Sequence, residues 1–596
     1  MGIRKYFLES EYLQRFIPNF SYRDYQADLA EYIMNALADY NTTVIEAPTG
    51  SGKTLAYLLP VFELGRKTIV STKTKQLMSQ ILNKDIPTVS ALSPEKDNEV
   101  VSLKGRKNYF CYYRYFKFIS PDADMYPDVI RWYESNAPEI SEVPQHLFDF
   151  STIEKMTADS MQCIGGKCPY FEVCPFYLKK AEAADADIVV TNHFMLLSDM
   201  GMRYKNDMMY NFEFADNIIF DEAHSLPDIF PQFIGDDVNF GSLMTFLKEN
   251  RVLMSESTYS FFQNKFAGIK GELESKKVIN EKIQDELEIF FNELKSLAES
   301  DFDDENYELY KKYRDKFKNI FNTEGLRLIE PHKNSFSLKN LPLSVSDSFG
   351  ESLGKICVCS IFISATLSVN GSFDYFCNEL GLSDVATKKV EGGGDFLKNG
   401  VCCIPEKEFY GEKKLEAYFS IIKKLEGGCL IIFNSLEMMN KVYNYLRMKK
   451  TGRQLILQTE VDLSQIDITA ETVVLGCSIV REGIDFSGNN LKYVILDKLP
   501  FENISDVYLN ARKEAFEKEY GNAFMNFYLP RAVIYFKQAV GRLIRHEDDN
   551  GAWIILDNRV LTKAYGKYFM DVLKDVQVCH RLSDLPSFAG GNNELH

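Results

Sequence analysis

Eight consecutive residues, Ala47-Pro48-Thr49-Gly50-Ser51-Gly52-Lys53-Thr54, have the make-up of a phosphate cradle. Small side chains let backbone N–H groups wrap around phosphate oxygens, and a helix that begins at the lysine adds its positive end. In that arrangement Lys53 reaches the β- and γ-phosphates of a nucleotide, and the Thr54 hydroxyl ligates Mg²⁺. Ala47 stands where the strict pattern has glycine. Thr43-Val44-Ile45-Glu46 reads as a short buried strand and Leu55 onward as an apolar helix, which is the context the loop needs. The plain alternative is a glycine-rich turn followed by a chance lysine, and the flanking elements count against it.

A second constellation lies far downstream. Ile218-Ile219-Phe220 reads as a strand that ends in Asp221-Glu222-Ala223-His224. A carboxylate at a strand end holds Mg²⁺ beside such a loop, and the next one orients the attacking water. Asp221 takes the first role and Glu222 the second, with His224 linking nucleotide state to neighbouring segments. A third set, Gln538, Arg542 and Arg545, is spaced by four and three residues and shares one helix face. A guanidinium on that face meets a γ-phosphate across a cleft and stabilises transition-state charge. The plain alternative is a solvated helix face with ordinary salt bridges. Together the three sets predict Mg²⁺-dependent ATP hydrolysis between two walls.

Four cysteines form a separate group: Cys111, then Cys163, Cys168 and Cys174 in the spacing Cys-x4-Cys-x5-Cys. Four thiolates can hold a [4Fe–4S] cluster. Zinc also accepts four, although structural zinc sites usually show two tight Cys-x2-4-Cys pairs, absent here. Plain buried thiols are the third reading. Other cysteines, such as Cys357, Cys359, Cys429 and Cys477, sit in apolar strand-like runs where free thiols pack well. Around Cys111, the stretch from Lys104 to Lys117 interleaves Lys104, Arg106, Lys107, Arg114 and Lys117 with Tyr109, Phe110, Tyr112, Tyr113 and Tyr115, and has no acid. Cations of this kind track a phosphate backbone while rings stack on unpaired bases. Some rings must instead pack inward, Phe110 foremost.

The elements that position these groups follow from length and pattern. At 596 residues the chain needs several hydrophobic cores. Strand-like runs alternating with helices imply parallel sheets. The net charge of −17 is concentrated: residues 281–309 hold eleven acids against Lys282 and Lys295. Screening confines each charge to roughly 8 Å in physiological salt, so a basic groove is compatible with an acidic protein. The longest apolar run, Ile356 to Leu367, is short of the ~20 residues of a membrane span and reads as a buried strand. Met1 to Ser10 lacks a signal-peptide core, so a soluble intracellular protein is expected.

The motifs, in order, resemble superfamily 2 helicases over nearly the whole chain. Tyr22, Arg23 and Gln26 stand where such enzymes approach adenine, and Ser71-Thr72-Lys73-Thr74 resembles their first nucleic-acid motif. Ser364-Ala365-Thr366-Leu367 resembles the coupling motif, and Gly427 to Ser435 the opening strand of a second RecA-like domain. Val480-Arg481-Glu482-Gly483-Ile484-Asp485-Phe486 resembles the next motif, with Gly483 and Asp485 on the ATP side and Arg481 towards DNA. Gln538 to Arg545 resembles the last. The cysteines fall between the phosphate loop and the acidic box, ahead of Ala186 to His193 with Asn192, which is similar to the XPD and DinG branch of iron–sulfur helicases. The resemblance implies an α/β fold: two RecA-like parallel-sheet motor domains with an inserted cluster domain and an inserted, mainly helical arch. The expected division is 1–103, 178–230 and 352–394 for the first motor domain, 104–177 for the cluster domain, 231–351 for the arch and 395–596 for the second motor domain. It further implies ATP, Mg²⁺ and a [4Fe–4S] cluster, with 5′ to 3′ movement on single-stranded DNA and unwinding of forked or tailed duplexes. A monomer working with repair proteins, in nucleotide excision repair, is expected. The alternatives are DinG-like work on replication or recombination intermediates and damage verification. DNA contacts are expected from Thr72, Lys73, Lys104, Arg106, Lys107, Tyr109, Asn192 and Arg481.

Overall fold

The computed structural model describes residues 2–8, 13–17, 20–136, 140–205, 210–273, 279–297, 302, 304–391, 395–459, 468–477, 490–503, 505–544 and 549–586. Arg481, Gly483, Asp485 and Arg545 lie outside them.

The chain opens a first sheet with β1 (Thr43–Glu46), β2 (Thr68–Thr72), β3 (Val100–Ser102), β4 (Ile188–Asn192) and β5 (Ala215–Asp221). It leaves for an antiparallel sheet of β6 (Asp236–Asn239), β7 (Leu326–Pro331) and β8 (Phe336–Leu341). It returns with β9 (Cys357–Ser364) and β10 (Ala386–Lys389). The first sheet has the order β10-β1-β9-β5-β2-β4-β3 and is parallel throughout. Its central strands are buried on both faces, which is why they read as continuous Val/Ile/Phe runs rather than alternating ones. One face packs on Ile33, Leu58 and Phe62, and the other on Leu196, Phe230 and Phe349. Parallel strands end on the same edge, so the loop after β1, the segment after β2 and the acidic box after β5 line up there. Ligands of open α/β sheets bind at that edge.

A second all-parallel sheet follows: β11 (Gly400–Cys403), β12 (Gly428–Phe433), β13 (Gln454–Leu457), β14 (Thr472–Cys477), β15 (Leu491–Leu496), β16 (Gly551–Ile555) and β17 (Gln577–Cys579), in the order β13-β14-β12-β15-β16-β11-β17. Trp553 and Phe536 anchor one of its faces, Tyr418 and Phe433 the other.

Two excursions leave the first sheet. Between β3 and β4 the chain builds a small core from Phe110, Tyr115, Ile119, Val129 and Met156. Between β5 and β9 four helices, Phe240–Glu249, Glu256–Leu273, Glu281–Ser296 and Asp304–Asn322, pack on the β6-β8-β7 sheet. The expected stripe is buried at Ile283, Leu287, Phe290, Phe291 and Leu294, while Leu297 is half-buried. This excursion therefore carries a sheet that helical periodicity alone did not reveal, because its strands are short and mostly polar on one side. The helix Ser346–Gly354 already puts Phe349 and Leu353 into the first motor core, ahead of the expected return at 352. Among the described residues, no helix is long and apolar enough to cross a membrane.

Candidate ATP site at the seam of two motor domains

The phosphate loop is shaped by backbone geometry. Gly50 and Gly52 have φ of 74° and 73°, where a side chain strains, and a Cβ on Gly52 would fall 2.0 Å from Gln26 Nε2. Arg23 Nη1 donates to Gly50 O at 2.7 Å, and Gln26 Nε2 to Gly52 O at 3.1 Å. Both residues thus brace the loop from behind. Ser51 is fully buried and donates to Pro48 O at 2.7 Å. Lys53 and Thr54 start the helix Lys53–Leu64, with Lys53 Nζ 3.3 Å from Ala47 O and 3.4 Å from Pro48 O. One turn further, Tyr57 donates to Asp221 Oδ2 at 3.1 Å, tying the loop's helix to the acidic box.

Asp221 and Glu222 are adjacent but electrically different. Burial, reinforced by the Glu222 charge and only partly offset by Lys53, pushes Asp221 up to about 7. Burial also opposes ionisation of Glu222, but Lys53, His224 and Ser364 outweigh it and hold this carboxyl below the usual range. Glu222 sits at φ 57°, a left-handed conformation that costs a non-glycine residue. Its Oε2 accepts from Ser364 Oγ at 3.0 Å and lies 3.2 Å from His224 Nδ1. His224 Nδ1 is itself 2.8 Å from Ser364 Oγ. The acidic box and the Ser364-Ala365-Thr366 segment are thereby one hydrogen-bonded unit. An ionised Glu222 suits a base for water, and a carboxyl poised at Asp221 is one that a divalent cation would readily strip of its proton.

The second wall is the helix Leu529–Val540 of the second motor domain. Gln538 Nε2 donates to Thr366 Oγ1 at 3.3 Å. Lys537 Nζ meets Glu46 Oε1 and Oε2 at 3.0 and 3.1 Å and donates to Ser368 O at 2.8 Å. A Cβ on Gly541 would lie 3.7 Å from Thr49 Oγ1, so the helix end faces the phosphate loop directly. Burial lowers the pKa of the half-buried Arg542, and the carboxylate of Glu222 offsets that shift. Lys53 and Arg542, one from each domain, are thus both within electrostatic range of Glu222. Sequence reasoning missed Glu46. It is buried, and besides Lys537 it accepts the N–H groups of Leu367 and Ser368, both at 2.7 Å. A charged residue ending an otherwise apolar strand, just before the loop, was the available signal.

The expected DNA contacts fall in varied settings. Thr72 is fully buried at the end of β2, its hydroxyl without a partner. Tyr109 is 2% exposed, packs edge-on against Phe176, and accepts from Lys104 N at 3.1 Å. Asn192 is buried and caps the helix His193–Tyr204 through Met195 N at 2.9 Å. All three side chains are thus turned inward, and Tyr109 and Asn192 have their polar groups satisfied locally. Lys73 is half-buried. Lys104 pairs with Glu142 at 2.8 Å and Lys107 with Asp159 at 3.5 Å. Arg106 lies over the Phe176 ring at 4.4 Å. Phe110 is turned inward as expected. An aromatic row the sequence did not single out runs beside the cysteines: Tyr112 on Tyr170 (centroids 6.2 Å apart) and Tyr170 on the exposed Phe116 (5.5 Å).

All four cysteines of the group are half-buried free thiols. Cys111 precedes the helix Tyr112–Phe118, Cys168 follows the turn Gly165–Lys167, and Cys174 heads the helix Pro175–Asp185. Burial pushes Cys111 up to about 11, and Cys174 and Cys163 both add to the shift, so the three are electrostatic neighbours. Arg114 lies near Cys111, Arg106 near Cys174 and Lys312 near Cys163, cations that would balance a thiolate set. Among the described residues, no three His, Cys, Asp or Glu side chains converge as one metal ion requires. A cubane asks something different, one thiolate for each of four irons, and the donor set and surrounding cations fit that group.

Two family descriptions match the sequence: "Type III restriction enzyme, res subunit" over residues 19–254 and "Helicase C-terminal domain" over 418–576. The ATP-dependent DNA helicase YoaA of Escherichia coli is 32% identical, covering 96% of this chain and 98% of that protein, and YoaA of Haemophilus influenzae is 30% identical, covering 94% of each. The 3′-5′ exonuclease DinG of Bacillus subtilis is 25% identical over 98% of this chain and 73% of its own length. In fold, an XPD helicase structure superimposes with a TM-score of 0.61 at 17% identity, covering 94% of this chain and all of that one. With the identity to YoaA held over nearly the full length of both proteins, the chain belongs to the DinG/YoaA/XPD family of ATP-dependent DNA helicases.

Proposed function

We propose that this helicase moves 5′ to 3′ on single-stranded DNA, opens forked or tailed duplexes and serves DNA repair in a prokaryotic cytoplasm. The observation that supports the motor reading is the contact of the helix Leu529–Val540 with the coupling segment, through Gln538 on Thr366, which brings Arg542 just past the helix end into electrostatic range of Glu222. ATP lies between them in this reading. Lys53 would hold its β- and γ-phosphates, Thr54 and Asp221 would hold Mg²⁺, Glu222 would orient the water, and Arg542, with Arg545, would meet the developing charge. Bound Mg²⁺ supplies charge neutralisation of the phosphates. Cleft closure on ATP and reopening on hydrolysis shift the two domains along the strand.

Cys111, Cys163, Cys168 and Cys174 would hold a [4Fe–4S] cluster, which would supply a covalent staple for a small domain. The row Tyr112–Tyr170–Phe116, with Lys73, Lys104, Arg106 and Lys107, would offer stacking faces and cations to the strand. The direction of travel rests on the family resemblance. Strand displacement on duplexes bearing a 5′ or a 3′ tail tests it: unwinding only with the 5′ tail is expected, and preference for the 3′ tail refutes it. Lys53→Ala should abolish DNA-stimulated ATPase, and turnover that survives the change refutes the nucleotide site. Comparing ATPase on intact and lesion-bearing strands separates damage verification from unwinding of replication or recombination intermediates.

A further inference from the structure

The arginine helix touches the first motor domain along more than the nucleotide pocket. Arg531, Tyr535, Gln538 and Arg542 are spaced by four, three and four residues, a single stripe along the helix and its end. At the far end of the stripe Arg531 is 6% exposed and uses its whole guanidinium. Its Nε donates to Glu502 Oε2 at 2.7 Å, and Nη1 to Tyr375 Oη at 2.9 Å. Its Nη2 reaches Asp228 Oδ1 at 2.8 Å, Glu502 Oε1 at 3.0 Å and Tyr535 Oη at 3.2 Å. Tyr535 in turn donates to Asp228 Oδ2 at 2.9 Å, so one carboxylate of the first domain is gripped by two side chains of the second. Glu379 lies 4.0 Å from Arg531 and pairs with the buried Arg512.

Asp228 sits on the short helix Leu226–Ile229 that leaves the acidic box, in the same segment as Glu222. The first domain therefore meets the stripe at both ends: Thr366, on the coupling segment bonded to Glu222 through Ser364, takes Gln538, and Asp228 is bound to Arg531 and Tyr535. A rod held at two points has its tilt fixed, whereas one held only at the pocket can pivot. We propose that Asp228, gripped by Arg531 and Tyr535, is a positioning residue for ATP hydrolysis: it sets the angle at which the helix presents Gln538 and Arg542 to the nucleotide. The linkage rests on the reading of Arg542 as the group that meets the transferring phosphate.

The test uses the full-length protein with single-stranded DNA. Asp228→Asn is the informative variant, because Arg531 and Arg512 still face Glu502 and Glu379, two charges against two, and the side chain of Asp228 is 38% exposed. It should lower kcat for ATP about tenfold, the scale of one lost charge-assisted hydrogen bond. KM for ATP should stay within about twofold, since Lys53 and Thr54 are untouched. Tyr535→Phe should fall in the same direction, and Asp228→Glu should keep most of the rate. In an Arg542→Ala background, Asp228→Asn should cost much less than it does alone, because most of the linkage acts through that arginine. An unchanged kcat in Asp228→Asn, or a full multiplicative loss in the double variant, overturns the linkage while leaving the arginine reading intact. If Arg542→Ala itself leaves kcat unchanged, the arginine reading falls and the linkage with it.

Discussion

Single residues at the seam owe their chemistry to neighbours rather than to type. Asp221 and Glu222 are both carboxylic acids on one strand end, yet burial raises the first to about 7 while Lys53 and His224 keep the second ionised. The stability consequence has a definite sign. The folded pKa of Asp221 lies above the ordinary carboxylate value near 4, so folding favours its protonated form. That contribution is complete below pH ~4 and is lost as pH rises through about 7. In metal-free protein Asp221→Asn should therefore melt higher than the parent at pH 8, with the gap closing towards pH 5. A gap that does not change with pH would contradict the assignment. Saturating Mg²⁺ should narrow the gap at pH 8, because the ion stabilises the charged form. Glu222→Gln should retain ATP binding and lower kcat by roughly 10²–10⁴-fold, as loss of a general base does. A tenfold or smaller loss in single-turnover assays would remove Glu222 from that role.

Elements carry a second layer of constraint. β1 ends in Glu46, which holds the backbone after β9 through Leu367 and Ser368 N–H and the arginine helix through Lys537. Removing either partner of this pair is not symmetrical. Lys537→Met leaves Glu46 with its N–H donors and should cost roughly 1–2 kcal/mol. Glu46→Met strands Lys537 and two N–H groups in a mostly buried site and should cost roughly 3–5 kcal/mol. Thermal or urea unfolding of the two variants decides it, and equal losses would mean that the N–H contacts carry little. The helix Leu529–Val540 is legible as amphipathic from sequence. Its apolar residues Ala532, Val533, Phe536, Ala539 and Val540 pack on the second sheet, which leaves the polar stripe for the other domain.

At the scale of the whole molecule, the two excursions from the first sheet meet each other. Lys312 Nζ donates to Ser160 O, Met161 O and Cys163 O at 2.8, 3.1 and 2.9 Å, and Lys167 pairs with Glu308 at 2.8 Å. Met161 also packs on the core of the helical excursion. Lys312→Ala should loosen the segment 159–168, seen as faster amide hydrogen exchange there, with ATPase in the absence of DNA unchanged. Exchange that stays at the parent rate would show that other contacts hold the junction. Cys111→Ser should lose the absorbance that a [4Fe–4S] cluster would give, and unwinding with it, but keep some ATPase, and full unwinding would reject the proposed part of this domain in handling the strand. The acidic Glu308 is thus spent partly on a lysine of the cysteine-bearing segment, which a count of charges over 281–309 does not disclose.

The primary structure alone determined the phosphate loop, the acidic box, the arginine helix, the cysteine group and the parallel-sheet architecture. Each is a local pattern in which residue type and spacing dictate backbone geometry or ligand chemistry. It left the DNA-facing residues poorly resolved, since a polar residue at a strand end can cap, pack or point outward. Thr72, Tyr109 and Asn192 turned inward because long-range neighbours close over them. Only the tertiary structure decided that Glu46 holds Lys537 and that Asp228 holds Arg531, partners separated by about 490 and 300 positions. Such pairings depend on how two independently folded sheets abut, and no periodicity within either one encodes that.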